Sequence, residues 1–517
     1  MLLTQALFYR TPYHRLTDRR SRRPARGYSG RMSEDYTIWI DVEDIFQYFE
    51  KNARPSGIQR LVFEILRVIR QQAAFVPGIG RIVLGRRGQV DGDLLIPVSF
   101  ADLEALFAVR TNEKIIPDAA STRSVARSPR ALIRRLRHAV IRRLESLPPE
   151  LARPLLNIVV NQLRAFQLLR RYARSRLRPR PIVASPTSTS QSASSPPAPA
   201  PPVASAPQSG DIFLILGAAW SEPDFGERLA RMRQVYGIQP VLLLYDLIPA
   251  VRPEWCALSL IQDFRHWLDT TLPQCGRLLA ISNATARSVE DYARQHHLKL
   301  LAPVQTIPIG SGFGPPHRAQ GERPRGLPAP GSYVLFVSTI EARKNHLLAF
   351  RIWRRLVTDL PREEVPTLVF AGRVGWLVSD LMQQLENTEW LRGKIRLLND
   401  PTDEELSHLY EGCLFTLFPS LYEGWGLPVT ESLVNGKPCI ASNSTSIPEA
   451  GGPLTRYFDP EDIDDAYRVV HDTITDREGL ARWQEEVRTQ FQPVPWERTA
   501  DAVLDACHTA YLSEKRS

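Results

Sequence analysis

The 517-residue sequence predicts an α/β chain built as two doubly wound, Rossmann-like domains that face a central cleft. Three observations predict it. Apolar runs of strand length alternate with amphipathic segments of helix length, first over 211–309 and again over 333–458. A stretch rich in Pro, Gly and Arg at 315–330 separates the two series as a hinge. Ahead of the first full series, residues 101–210 change character and read as a helical and disordered insertion in the first domain. The expected organisation is a basic arm at 1–34, a first domain at 35–315, a second at 330–495, and a last helix at 496–517 that crosses back to the first.

Tyr36-Thr-Ile-Trp-Ile-Asp41 alternates apolar and polar residues as a half-buried strand does. Pro55-Ser-Gly57-Ile-Gln-Arg60 leads into a helix with Leu61, Ile65, Leu66 and Ile69 on one face. Gly57 either admits a ligand close to the backbone or is an ordinary residue before a helix. Two short strands are expected within 81–99. Asp211-Ile-Phe-Leu-Ile-Leu-Gly217 is a strand, followed by a helix near 226–236 and the strand Val241-Leu-Leu-Leu-Tyr245. A helix near 257–272, the strand Arg277-Leu-Leu-Ala-Ile-Ser282, a helix near 283–295 and the strand Gln305-Thr-Ile-Pro-Ile309 complete the first series. Gly310-Ser-Gly-Phe-Gly-Pro-Pro316 lacks the GxGxxG spacing and is not a dinucleotide loop.

In the second series Tyr333-Val-Leu-Phe-Val-Ser-Thr339 is a strand, and Asn345 is placed to cap the helix that runs to about 360. Thr367-Leu-Val-Phe-Ala371 and Ile395-Arg-Leu-Leu398 are strands with helices after each. Leu414-Phe-Thr-Leu-Phe-Pro419, Cys439-Ile-Ala-Ser442 and Thr455-Arg-Tyr-Phe458 complete the sheet. The last helix carries Ala500, Val503, Leu504 and Cys507 on one face.

Composition narrows the partners. The net charge of +9 favours an anionic partner: nucleic acid, acidic lipid or a phosphorylated substrate. Between 121 and 180 there are sixteen arginines against two glutamates, and Leu132, Leu136, Val140 and Leu144 recur every four residues among them. Such helices lie on an anionic membrane surface, or pack on a neighbouring domain with solvated arginines; both readings stand. Nucleic acid is disfavoured, because only two aromatic residues, Phe166 and Tyr172, interleave with the charge there. Residues 183–209 are almost entirely Pro, Ala, Ser, Thr and Val and read as a disordered linker. No run of about 18 apolar residues occurs, so no spanning helix is expected. The first 31 residues lack the apolar core of a secretory signal; they are either an unstructured arm or lie upstream of a start at Met32. The five scattered cysteines, Cys256, Cys275, Cys413, Cys439 and Cys507, read as buried thiols of a reducing compartment. The expected location is cytoplasmic, with peripheral contact at the inner face of the membrane.

Three loops that follow strand ends of the second domain carry candidate chemistry. One holds Glu341-Ala-Arg-Lys-Asn345, whose adjacent cations suit a diphosphate: Arg offers a planar fork and Lys a point charge. Another holds Gly372-Arg373. The third holds Tyr422-Glu-Gly-Trp-Gly-Leu-Pro-Val-Thr-Glu431, with Glu423 and Glu431 on either side of a helix start. A helix N-terminus attracts anions and carboxylates bind sugar hydroxyls, so the set points to a nucleotide-sugar site; Glu431 alone also reads as a first-turn glutamate favoured by the dipole.

The stretches Phe336-Val-Ser-Thr-Ile-Glu-Ala-Arg-Lys-Asn345, Phe370-Ala-Gly-Arg373 and Phe418-Pro-Ser-Leu-Tyr-Glu-Gly-Trp-Gly-Leu-Pro-Val-Thr-Glu-Ser432 resemble the retaining glycosyltransferases of family 4, which have the GT-B fold. Gly436-Lys-Pro-Cys-Ile-Ala-Ser442 and Ile447-Pro-Glu-Ala-Gly451 continue the resemblance, and Glu423 and Glu431 match its E-x7-E motif. The resemblance covers 333–460 strongly, covers 36–70 and 211–315 through Ser56-Gly-Ile-Gln-Arg60 and Tyr245-Asp-Leu-Ile-Pro249, and is absent from 1–31 and 101–210. It implies that Arg343 and Lys344 hold the donor diphosphate and stabilise the leaving group, that Glu423 bonds the donor sugar, and that Glu431 bonds the ribose. Gly426 and Leu427 would present backbone N–H groups, Arg373 would face the donor, and Gly57, Tyr245 and Asp246 would lie on the acceptor side. It also implies no cofactor beyond the nucleotide-diphosphate sugar as co-substrate, and no metal; Asp91-Gly-Asp93 reads as a turn.

Two positions depart from the family. Tyr245 stands where many relatives have a histidine that aligns sugar and acceptor, and tyrosine is a poor base near neutral pH. Thr339 stands where some relatives place glycine. The expected activity is retaining, metal-independent transfer of a hexosyl, mannosyl-like group to a glycan or lipid-linked acceptor of a bacterial surface polysaccharide. The rivals are a nucleotide-sugar epimerase on the same fold and a non-catalytic scaffold at the membrane surface.

Overall fold

The computed structural model describes residues 36–52, 54–72, 81–87, 95–112, 206–222, 224–312 and 322–515. The arm at 1–34, the basic segment 121–180, nearly all of the linker and the Asp91-Gly-Asp93 turn therefore lie outside the described residues. The chain divides into two compact units, 1–103 with 204–517, and 104–203. The first unit contains both sheets.

The N-terminal sheet has seven strands in the order β3-β2-β1-β4-β5-β6-β7. These are β1 (Thr37–Asp41), β2 (Arg81–Arg87), β3 (Leu95–Val98), β4 (Ile212–Ile215), β5 (Gln239–Leu244), β6 (Arg277–Ala280) and β7 (Val304–Thr306). All neighbours are parallel except β2 and β3, which form an antiparallel edge. Helices α1 (Glu43–Lys51), α2 (Gly57–Gln72), α3 (Phe100–Asn112), α4 (Phe225–Tyr236), α5 (Leu258–Thr271) and α6 (Asn283–Gln295) connect them. Parallel strands covered on both faces become apolar throughout, so β4 is buried along its whole length. The alternation read in β1 understates its burial: Trp39 is buried as well as Ile38 and Ile40. Its indole N–H donates to Asp211 Oδ2 at 2.9 Å, which satisfies the one polar atom it takes inside.

The second sheet is parallel throughout, in the order β10-β9-β8-β11-β12-β13. Its strands are β8 (Tyr333–Val337), β9 (Thr367–Ala371), β10 (Ile395–Leu398), β11 (Thr416–Phe418), β12 (Cys439–Ser442) and β13 (Arg456–Phe458). Helices α7 (His346–Asp359), α8 (Ser379–Asn387), α9 (Asp403–Gly412), α10 (Leu427–Val434), α11 (Ile463–Thr475) and α12 (Arg477–Gln490) cover it. Phe336, Phe370, Trp353 and Phe415 fill the core between them. Helix α9 starts with a full capping box, Thr402 with Glu405.

Each sheet reverses its winding at one place, between β1 and β4 in the first and between β8 and β11 in the second. Loops leaving the carboxyl ends of those strands diverge, which opens a crevice there. This two-domain, doubly wound architecture is the GT-B fold. The last helix, α13 (Trp496–Glu514), packs on α2 and on strands β4, β5 and β6 of the first sheet. Tyr511 stacks on Tyr36 at 4.2 Å, and Ala500, Val503, Leu504 and Cys507 are all buried. The returning chain runs beside the outgoing one: the Ser311 N–H donates to the Val494 carbonyl at 2.9 Å and the Trp496 indole to the Gly312 carbonyl at 2.7 Å.

The two sheet domains also touch along the crevice. Glu449 accepts from the Asn283 and Ala284 backbone N–H groups at 2.7 and 2.8 Å, so a carboxylate of the second domain caps helix α6 of the first. Arg54 donates to the Asp400 and Pro401 carbonyls, and Arg60 pairs with Asp403 at 2.7 Å.

Candidate active site

The loop after β8 carries the cations. A tight turn, Ala342–Lys344, brings Arg343 and Lys344 together, and Asn345 comes next in the left-handed region at φ 61°. Asn345 occupies the cap position of α7, but its side chain does not cap that helix; it reaches the Pro460 carbonyl at 3.3 Å. The left-handed backbone turns the side chain away from the amides that a cap would bind.

Both cations converge on one carboxylate from the loop after β11. Lys344 Nζ lies 2.5 Å from Glu423 Oε1 and Arg343 Nη1 lies 2.8 Å from Oε2. The other face of the guanidinium fork meets Glu341 at 2.7 Å, and Nη1 also donates to the Tyr422 carbonyl at 2.6 Å. Burial alone would raise the Glu423 carboxyl, but Arg343 and Lys344 more than reverse this and hold it at about 2. Burial likewise opposes the Arg343 charge, yet Glu423 and Glu341 keep that guanidinium well above its usual value. Burial and the neighbouring Arg343 push the Lys344 ammonium below its own. Four charged groups thus meet in a space with little water, where charge interactions are several times stronger than in solvent.

The Glu423 loop is held from below by a run of hydroxyls, Ser442-Asn-Ser-Thr-Ser446. Ser442 donates to the Ser420 carbonyl and Ser444 to the Leu421 carbonyl, each at 2.6 Å. Thr445 accepts from the Glu423 N–H at 3.0 Å and donates to its carbonyl at 2.9 Å. Thr445 does so at a left-handed φ of 51°, a conformation costly for a β-branched residue and typical of positions over-determined by a site. Sequence reasoning missed these residues; a Ser/Thr cluster before a helix is their only local signal.

The glycines of the segment have distinct reasons. A Cβ on Gly424 would sit 2.0 Å from the Tyr245 carbonyl oxygen, so only glycine lets the two domains meet there. Gly426 has φ 125°, open to glycine alone, and that turn aims the start of α10 at the crevice. Leu427 opens the helix, at a position that has no intrahelical acceptor for its N–H. Glu431 is not in the first turn; it lies one turn in and accepts from the Tyr410 hydroxyl at 2.7 Å. Burial raises its carboxyl above the usual value, with Tyr410 and the Arg60 charge opposing.

From the first domain, Gly57 starts α2 directly opposite: a Cβ there would touch Leu427 Cδ1 at 3.1 Å. Asp246 lies within the field of Arg343, Glu423 and Lys344; burial raises its carboxyl, and it accepts from the Ile248 N–H at 2.9 Å. Tyr245 sits beside Asp246 and lines the cavity described below. Its hydroxyl is buried and donates to the Leu216 carbonyl at 2.6 Å, so the phenol braces β4 against β5. Arg373 is not drawn into the cluster. It is about half exposed and its carboxylate partner is Asp400, 3.6 Å away.

Beside the charged cluster lies a cavity of about 180 Å³. Its walls include Ile58, Asp246, Trp255 and Cys256 from the first domain and Glu341, Arg343 and Trp376 from the second. Cys256 is thus only partly buried, unlike the four other cysteines. The tryptophans gave no sequence signal, because isolated aromatic residues mostly fill cores.

Residues 320–490 match the family described as glycosyl transferases group 1. The chain is 27% identical over 289 residues to the serotype-specific mannosyltransferase WbdA of Escherichia coli, covering 53% of this chain and 34% of that protein. It is 36% identical over 132 residues to the O-antigen chain mannosyltransferase B of Escherichia coli, covering 26% of this chain and 34% of that protein. It is 30% identical over 261 residues to the D-inositol 3-phosphate glycosyltransferase of Thermobifida fusca, covering 46% of this chain and 58% of that protein. The chain thus spans about a third of the length of the first two relatives. The match to glycosyl transferases group 1 thus covers residues 320–490 of the second domain and holds the cation pair and both glutamates of the E-x7-E motif.

Proposed function

We propose that the chain is a retaining glycosyltransferase that moves a hexosyl group, mannosyl-like, from a nucleotide-diphosphate sugar to a glycan or glycolipid in bacterial surface polysaccharide assembly. The observation that carries this reading is the convergence of Arg343 and Lys344 on Glu423 beside the start of α10. The relatives named as mannosyltransferases support the sugar class.

Transfer breaks the bond from the sugar's anomeric carbon to the diphosphate, and negative charge develops on the departing oxygen. Arg343 and Lys344 meet that charge with donors fixed beforehand, which is worth more than the same groups reorganising in water. When the donor binds, before that bond breaks, Glu423 exchanges its cation partners for hydroxyls of the donor sugar, while the Leu427 amide and the positive end of α10 add to the anion site. Glu431 binds the ribose. With two cations supplied by the chain, the reaction runs without a metal. The acceptor hydroxyl oxygen bonds to the anomeric carbon on the face the diphosphate leaves and its proton passes to the departing phosphate oxygen, so anomeric configuration is kept.

Lys344→Ala should cut transfer by at least about a hundredfold, on the scale seen when one preorganised charge donor is removed, with the far-ultraviolet spectrum unchanged. Full transfer in that variant removes the site. The anomeric configuration of the product, read by NMR coupling, tests retention separately.

A further inference from the structure

The cavity beside the charged cluster has an uneven wall. Asp246, Glu341 and Arg343 supply its charged groups. Most of the remaining wall is aromatic and aliphatic, with Trp220, Trp255, Trp376, Leu260, Ile248 and Phe264 among it. The chain segments that supply Leu260 and Trp376 carry further exposed apolar side chains. Six of the ten large apolar side chains exposed among the described residues fall on two segments, Val251, Leu258 and Leu260 on the first domain and Val374, Trp376 and Leu377 on the second. These segments are joined, because the Trp376 indole N–H donates to the Trp255 carbonyl at 2.9 Å. Arg252 lies 4.1 Å over the Trp255 ring and fixes it from the other side.

The second-domain segment is held in place rather than loose. The Ile340 N–H donates to the Arg373 carbonyl at 2.8 Å and the Gly375 N–H to the Ile340 carbonyl at 2.9 Å. Leu377, next to Trp376 in the chain, adopts φ 57°, a strained backbone for a leucine, and leaves 61% of its surface exposed. Contiguous exposed apolar surface beside a pocket marks a place where an apolar group binds.

We propose that the acceptor is an amphiphilic glycoside. Its sugar end enters the cavity with a hydroxyl beside Asp246 and Glu341, next to the donor cluster, and its apolar aglycone leaves across the rim formed by Trp376, Leu377 and Leu260. A wholly hydrophilic glycan would find unsatisfied apolar surface along that exit; an aglycone of lipid character fits it. This rests on the reading of the charged cluster as the donor site.

The test compares hexyl and methyl α-D-mannopyranoside by calorimetric titration of the full chain, with the affinities of GDP, UDP and ADP measured alongside. The hexyl glycoside should bind at least tenfold more tightly. Trp376→Ser should erase that preference and Leu260→Ser should reduce it, while the nucleotide affinities change less than twofold. Val235→Ser, at an exposed apolar position off the rim, should keep the preference in full. Equal affinity for the two glycosides, or a full preference in both Trp376→Ser and Leu260→Ser, overturns the proposal. If no nucleotide binds but the rim-dependent preference for hexyl remains, the donor reading falls and the apolar subsite stands.

Discussion

Glu423→Gln keeps the shape of the side chain and removes the one charge that Arg343 and Lys344 share. In the native protein those contacts are 2.8 and 2.5 Å long and almost buried. Removing one partner of a buried ion pair costs about 3–5 kcal/mol, because the remaining charge is left uncompensated. At roughly 2–4 °C per kcal/mol for a domain of this size, the melting temperature should fall on the order of 10 °C. A nucleoside diphosphate would return the missing negative charge to the same two cations. It should therefore raise the melting temperature of the variant by more than it raises that of the native protein. The assay is a thermal shift series with and without saturating GDP, UDP and ADP, run on both proteins. A variant that melts like the native protein, or one whose shift with every nucleotide is no larger than the native shift, refutes the claim that these cations form the diphosphate site.

The same geometry fixes three further outcomes. Tyr245→Phe should lose about 1–3 kcal/mol in urea unfolding, since the Leu216 carbonyl keeps its burial and loses its donor; transfer should persist, and its loss would restore a role for the hydroxyl. Gly424→Ala should cut turnover sharply by forcing apart the contact with Tyr245, with the second-domain core intact by hydrogen exchange; native turnover would mean that this contact does not matter. Stability should also fall in acid. Glu423 is held at about 2, below its usual 4.5, so its contribution is whole above about 4.5 and is lost as pH drops toward 2. His346, pushed down to about 3 by burial and by Lys344, stays neutral while the unfolded chain takes up a proton below about 6.5, so it acts in the same direction from 6.5 downward. Urea midpoints at pH 7 and pH 4 check this, and equal midpoints contradict it.

The two-sheet plan was legible because strand-length apolar runs and amphipathic helices alternate twice, and β9, β10 and β12 fall where the sequence places them. The Arg343-Lys344 pair and Glu423 were legible because each sits within a few residues of a strand end, and Glu431 because of its fixed spacing from Glu423 in the E-x7-E motif. Contacts made across long stretches of chain were not. The role of Tyr245 depends on a carbonyl 29 residues away. The support for the Glu423 loop comes from hydroxyls about 22 residues further on. Trp376 meets Trp255 across 121 residues, and Glu449 caps a helix 166 residues earlier. Local periodicity reports burial and turns, and none of these pairings leaves a mark on it. Arg373 shows how a strand-end cation can stand apart from the charged cluster: it pairs with Asp400, which Arg54 of the first domain also meets across the crevice.

The adjacent backbone runs at 310–312 and 494–496 have a mechanical consequence. Joined by one thread, two bodies would be free to swivel against each other in any direction. Joined by two threads stitched side by side, they keep mainly one freedom, a swing about the seam. A gate on such a seam admits a substrate and shuts again in register, so groups on its opposite leaves return to the same separation on every cycle.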